Sequence, residues 1–343
     1  MDYSRLFQPV QIGSVTPKHR IVMAPMTRFR ADDTHVPMPM AESYYAQRAT
    51  YPGTLIISEA TFISPAAGKY ANGSYMFLQL WALGRVADPV NAAAENIEIV
   101  SSSPNPLDPG SIVPKELSRE AIQEFVQAYA RAARNAVEAG FDGVEIHGAG
   151  GYLIDQFTED KCNQRTDIYG GSIENRGRFV LEVARAVSDA IGSDKVGIRL
   201  SPWQRYQGMR MDDPIPQFTY VIKELKAIGL AYLHLIEARV CGNTDSEDKE
   251  TLDFAIKAWG TGRPPILAGG YTPSSAVQTV DKDWKGYNVL IAFGRHFTAN
   301  PDLPFRIKHQ IKLHPYDRST FYVPKSFKGY ADYPLSPEYL AQQ

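Results

Sequence analysis

The chain has 343 residues, 44% hydrophobic and 22% charged, with a formal net charge of −2 at neutral pH. That supplies a large buried core, and chains of this length commonly form one α/β barrel, so a single domain spanning 1–343 is expected. No stretch interleaves Lys or Arg with aromatics densely enough to track a phosphate backbone, and no window approaches the roughly 20 apolar residues of a membrane span, so nucleic-acid and membrane partners are excluded.

In chain order, the first segment, Met1 to Phe7, has no apolar core of signal-peptide length, which points to the cytoplasm. Eight β-rich runs follow: Arg20–Pro25, Thr54–Ser58, Met76–Leu80, Gly143–His147, Val196–Leu200, Tyr232–Ile236, Pro265–Ala268 and Val289–Phe293. Most are continuously apolar rather than alternating, as suits parallel strands covered on both faces. Helical patterns lie between most of them. The clearest carries Ile122, Phe125, Val126, Tyr129, Ala133 and Val137 on one stripe, with Gly140 as its stop.

Between the second and third runs only Phe62 to Tyr75 are available, and their Pro, Asn and Gly break any helical pattern. The second barrel helix is therefore expected to be missing. Its absence would leave Leu55 and Ile57, or their alternates, and Phe77 or Met76 facing water, so a neighbouring subunit or the Pro-, Ser- and Asn-rich stretch 88–114 is expected to cover them. That stretch reads as a long loop over the barrel mouth. Cys162 and Cys241 are isolated thiols without metal-ligand spacing, expected to be reduced, and no metal site is foreseen. Lys308, His309, Lys312 and His314 read as a solvated helix face.

Eight β-then-α units form a (β/α)₈ TIM barrel, whose active site lies at the C-terminal ends of the strands. Pro25, Met26, Thr27, Ala60, Gln79, Trp81, His147, Arg199, Gly269, Gly270, Gly294 and Arg295 all fall there. Gly269-Gly270 and Gly294-Arg295 offer a phosphate open backbone N–H groups and a guanidinium, although glycine turns after strands also serve plain chain reversal. The run Gly148-Ala149-Gly150-Gly151 follows the wrong element order for a dinucleotide fingerprint. His147 and Tyr152, five residues apart across a turn, set an imidazole and a phenol at one strand mouth; in isolation such residues also serve as core packing.

The segments Gly143-Val144-Glu145-Ile146-His147-Gly148-Ala149-Gly150-Gly151-Tyr152-Leu153-Ile154-Asp155-Gln156-Phe157 and Arg165-Thr166-Asp167-Ile168-Tyr169-Gly170-Gly171-Ser172-Ile173-Glu174-Asn175-Arg176 closely resemble the old yellow enzyme family of FMN-dependent ene-reductases. Motifs of that family recur from Met23 to Tyr322. The resemblance implies tightly bound FMN, NADPH as reductant, and an enone or enal substrate, in one step of making a complex small molecule. It assigns Pro25, Met26 and Thr27 to the first flavin strand end, with the threonine hydroxyl on the C4 carbonyl. Gln79 would hold the pyrimidine edge, Ala60 would belong to the same shell, and Arg199 would stand beside N1 and the C2 carbonyl; a buried ion pair is the alternative for that strand arginine. His147 would bind the substrate carbonyl and Tyr152 would protonate the α-carbon. Trp81, Phe321 and Tyr322 would line the substrate cavity.

Two departures stand out. The family's second carbonyl donor, three residues after the histidine, is here Gly150, and losing one such donor typically costs about 10²–10³ in rate while enlarging the pocket. The chain also looks joined from Asn72 to Gly73 where relatives carry a helix, as a deletion or alternative splice would leave it. A flavin-bearing isomerase or cyclase without net reduction, and a poorly active variant, therefore stay open beside the reductase.

Overall fold

The computed structural model describes residues 4–61, 73–242 and 244–342. Its centre is a closed parallel barrel of eight strands: β1 (Ile21–Met23), β2 (Leu55–Ile57), β3 (Tyr75–Leu80), β4 (Gly143–Gly148), β5 (Val196–Leu200), β6 (Tyr232–Ile236), β7 (Pro265–Ala268) and β8 (Leu290–Phe293). Each strand pairs with its sequence neighbours, and β1 closes on β8 with Ile21 opposite Ile291. All eight apolar runs are strands, with ends within three residues of those expected.

Burial on both faces explains why these runs do not alternate. Leu55, Ile57, Phe77, Ile266 and Leu290 pack inside the barrel with Ile12 and Val15, which plug its lower end, while Ile56, Met76, Leu78, Val144 and Ile146 face the surrounding helices. Among those helices are α1 (Met40–Arg48), α2 (Arg119–Glu138), α3 (Leu153–Thr158), α4 (Ile173–Ile191), α5 (Ile215–Ile228) and α6 (Asp253–Trp259). The Ser118 side chain caps α2 by accepting the Ala121 N–H at 3.2 Å. Ile122, Val126, Tyr129 and Ala133 form its buried stripe, each large side chain contributing about 1.5–3 kcal/mol.

The crossover from β2 to β3 runs over residues 58–74, and its supposed missing helix concerns residues 62–72, which lie outside the described residues. The expectation that apolar side chains there meet water is overturned. Leu55, Ile56, Ile57 and Phe77 are fully buried and Met76 nearly so. Leu55, Ile57 and Phe77 point into the barrel, where β-strand alternation puts them, and Ile56 and Met76 join one apolar cluster with Tyr44 and Tyr45 of α1 and Tyr129 of α2. That removes the ground for a covering subunit.

The stretch 88–114 runs beside the turn at Gln207, since Arg85 donates to the carbonyls of Asn105, Pro106 and Gln207. It contains a short helix, Pro89–Ala94, and a two-residue strand pair with Lys115–Glu116, and it lies against α3: Ser102 Oγ donates to the Gln156 carbonyl at 2.7 Å and Ser101 Oγ to Gln156 Oε1 at 2.9 Å. Lys312 and His314 lie beyond the end of the helix Leu303–His309, so the basic residues share solvent but not one helix face.

Candidate active site

Strand register builds the site. In β4, Glu145 and His147 point inward while Val144 and Ile146 point out; Glu145 lies opposite Gln79 of β3, and His147 opposite Arg199 of β5, which in turn faces His234 of β6. Gly197 clears the space below, since a Cβ there would come within 2.1 Å of the Tyr232 ring. At the strand ends a cavity of about 560 Å³ opens, within the range of small-molecule sites. Its wall includes Pro25, Met26, Thr27, Gln79, Trp81, His147, Gly150, Tyr152, Arg199, Gly269, Gly270, Gly294, Arg295 and Tyr322.

The expected acid–base pair is together. The His147 and Tyr152 rings lie 4.9 Å apart edge to face, and Trp81 is 4.7 Å from Tyr152 and stacked at 6.2 Å on His147. Burial, then the positive Arg199, hold the His147 imidazole well below its usual pKa, so it is neutral at pH 7. Its buried Nδ1 has no hydrogen-bond partner within the protein. Burial pushes the Tyr152 phenol up to about 12. The turn between them has Gly150 and Gly151 in left-handed backbone at φ +66° and +81°. Gly150 N–H donates to Ser201 Oγ and Gly151 N–H to Asp155 Oδ2, both at 2.8 Å.

One functional residue escapes the sequence reading. Glu145, fully buried, accepts from Gln79 Nε2 at 2.7 Å and pairs with His234 Nδ1 at 2.8 Å. It orients the Gln79 amide and supplies negative charge near the half-buried Arg199, whose pKa burial lowers and Glu145 raises. A carboxylate in a buried strand, two residues before the histidine on the same face, is the signal that could have found it.

The wall fits FMN. Arg199 Nε and Arg295 Nη1 are buried with no partner in the protein, one at the inner end beside Gln79 and one at the glycine turns. Gly269 and Gly270 hold φ +114° and +64°, which favours bare backbone there, and a Cβ on Gly294 would meet Met26 Sδ at 2.6 Å and displace that side chain. Arg295 Nη2 is already tied to Asp245 at 2.6 Å, which fixes the guanidinium in place.

Two expected residues lie off the wall. Ala60 is half-buried beside Glu59, whose carboxylate accepts the Arg28 N–H at 2.9 Å, and is not among the lining residues. Phe321 is 1% exposed; its carbonyl accepts from Arg28 Nε at 3.1 Å and its ring packs at 5.8 Å on Tyr316, so it is core beneath Tyr322.

The chain belongs to the NADH:flavin oxidoreductase / NADH oxidase family, which matches residues 5–77 and 70–314. It is an NAD(P)H-dependent FMN oxidoreductase. A chanoclavine-I aldehyde reductase of Penicillium roqueforti (strain FM164) is 50% identical over 360 residues, spanning 98% of each chain. A protein of Epichloe festucae var. lolii described as a probable inactive reductase is 46% identical over 372 residues, spanning 100% of this chain and 98% of its own. Among solved structures, Old Yellow Enzyme from Pichia sp. AKU4542 superposes with a TM-score of 0.86 at 34% identity, covering 98% of this chain and 94% of that one. Among the described residues no helix is long and apolar enough to cross a membrane.

Proposed function

We propose that the chain acts in the cytoplasm as one FMN-binding barrel that reduces the C=C bond of a bulky α,β-unsaturated aldehyde or ketone with NADPH, within the making of a complex small molecule. The observation that carries this reading is the His147–Tyr152 pair, 4.9 Å between rings, in the same cavity as Arg199 and Gln79. Pro25, Met26, Thr27, Gln79 and Arg199 would hold the flavin ring, and Gly269, Gly270, Gly294 and Arg295 its phosphate. Bound FMN supplies the hydride. Neutral His147 donates an N–H to the substrate carbonyl, which draws electron density from the β-carbon. Tyr152 gives its proton to the α-carbon, and Trp81 and Tyr322 confine the substrate. The relative named as an aldehyde reductase supports an aldehyde, and the side-chain-free Gly150 supports a large one.

A second reading, weak or absent net reduction, draws on the same Gly150 and on the relative described as probably inactive. Tyr152 weighs against it, because a protonated phenol beside His147 serves no purpose in a site that passes no proton. The test is Tyr152→Phe in the holoenzyme. Enal reduction should fall by about 10²–10⁴ while anaerobic bleaching by NADPH proceeds at the parent rate. Equal slowing of both half-reactions would refute the assignment.

The deletion after Asn72 has separate support. Alignments of 360 and 372 residues exceed the 343 of this chain, and the family match falls in two pieces that overlap over residues 70–77.

A further inference from the structure

We propose that Phe29 and Tyr322 form an aromatic clamp at the cavity mouth that selects substrates whose unsaturated carbonyl carries a flat aromatic group, an inference that rests on the reading of this cavity as the site of enone reduction. Phe29 sits between two arginines that reach the other way. Arg28 is fully buried and donates to the Phe321 carbonyl at 3.1 Å, the Gly329 carbonyl at 2.6 Å and Tyr44 Oη at 3.1 Å. Arg30, 2% exposed, donates to the carbonyls of Ser326 at 2.8 Å and Thr320 at 3.0 Å. With both neighbours anchored inward, the phenylalanine between them turns out, 52% exposed, onto the cavity wall.

Its backbone makes the placement costly. Phe29 has φ +56°, left-handed space that bulky L-residues rarely enter. Its carbonyl accepts the N–H of Lys325 at 3.0 Å, and Lys325 is itself at φ +56°, so two strained residues face each other across the join between the β1 loop and the C-terminal segment. A large ring held in unfavourable backbone yet left half in water is not stored for stability. The Tyr322 ring lies 5.8 Å away at 54° and is 39% exposed on the same wall. Exposure rises from 7% at His147 to 52% at Phe29, which puts the acid–base pair at the inner end and the two rings at the mouth. Aromatic faces meeting at this spacing bind other flat π-systems in offset or edge-to-face contact, and they discriminate against alkyl chains of the same length.

The test compares cinnamaldehyde with trans-2-pentenal on the FMN-loaded enzyme, using dissociation constants from the flavin absorbance of the oxidised protein and anaerobic turnover. The parent enzyme should bind cinnamaldehyde more tightly. Phe29→Ala should collapse that preference by about tenfold, and Phe29→Trp should keep it. Phe29→Gly should lose the preference while melting at or above the parent temperature, because glycine relieves the left-handed backbone. Equal affinity for both enals in the parent, a preference that survives Phe29→Ala, or a sharp loss of melting temperature in Phe29→Gly would each overturn the clamp. If flavin bleaches with NADPH but neither enal is reduced, the enone reading fails instead, and the binding constants still judge the clamp.

Discussion

Tyr152 is a weak acid made weaker by its surroundings, and this suits a donor to carbon. Burial pushes it up to about 12, so it holds its proton across the working range, and the α-carbon of a polarised enone, once hydride has arrived, is basic enough to take it. His147 is shifted the other way, below its usual value, and stays neutral well into acid. Neither group titrates between pH 6 and 9, so the rate of enal reduction by pre-reduced enzyme is expected to change over that window only in one step near pH 7, where Asp155, which holds the Gly151 N–H, titrates. A bell-shaped profile centred there would show another acid or base at work. Gly150 is the residue the chain lacks in function but has room for: a Cβ there meets only the Tyr152 ring, at 3.7 Å. Its φ of +66° is tolerated by asparagine better than by other side chains. Gly150→Asn should therefore fold, retain flavin, and raise turnover of compact enones by up to about 10²; a flavin-loaded variant with no gain on any enone would show that a second carbonyl donor is not what limits it. At this scale His147, Tyr152 and Gly150 are legible because one contiguous motif carries them. Phe29 is not, because a lone aromatic between two arginines reads as a solvated loop until the partners of those arginines, some 290 residues away, are seen.

The element behind the catalytic turn is α3, whose six residues are all buried. Two carboxylates one turn apart, Asp155 within it and Glu159 at its C-terminal cap, have no cation between them at ion-pair distance among the described residues. Burial pushes Asp155 up to about 7, and burial followed by the Asp155 charge pushes Glu159 well above the carboxylate range. Asp155 nonetheless holds the Gly151 N–H, so the orientation of Tyr152 is coupled to a group that would rather be neutral. A folded-state pKa above the unfolded value of about 4 means that the stabilising contribution is fully present below pH about 4 and is lost as pH rises through about 7. Asp155→Asn keeps an acceptor for Gly151 and removes the titration. It should melt higher than the parent at pH 8.5, with the gap narrowing as pH falls below 7 and closing near pH 4. Parallel melting-temperature profiles for the two proteins would sink this account. Nothing in the local pattern announces the pair, since Leu153 to Thr158 reads as an ordinary amphipathic turn and only the packing around it removes the water.

Across the whole molecule, the barrel is readable from the chain because parallel strands buried on both faces have no polar side to show, and all eight announce themselves as apolar runs bounded by turns. What ties the two ends of the chain together is not readable, because it depends on arginines bonded to backbone carbonyls, which leave no complementary residue to recognise. Arg48, at the end of α1, is fully buried and donates to the carbonyls of Tyr44 at 2.9 Å, Phe297 at 3.2 Å, Thr298 at 2.6 Å and Tyr330 at 3.2 Å. Its guanidinium also lies 3.6 Å over the Tyr44 ring, which stacks at 4.0 Å on Tyr330. One side chain thus joins the helix after β1 to the segment after β8 and to the C-terminal strap that carries Phe29's partner Tyr322. Arg48→Met preserves most of the volume but strands several buried carbonyls, and breaking a buried charged network of this kind costs about 3–5 kcal/mol. The variant should melt several degrees lower and, under limited proteolysis, should be cut first beyond residue 310, where the strap loses its tether. If it melts with the parent and is cut elsewhere first, the closure of this barrel does not depend on the arginine, and the clamp at its mouth must be held by Arg28 and Arg30 alone.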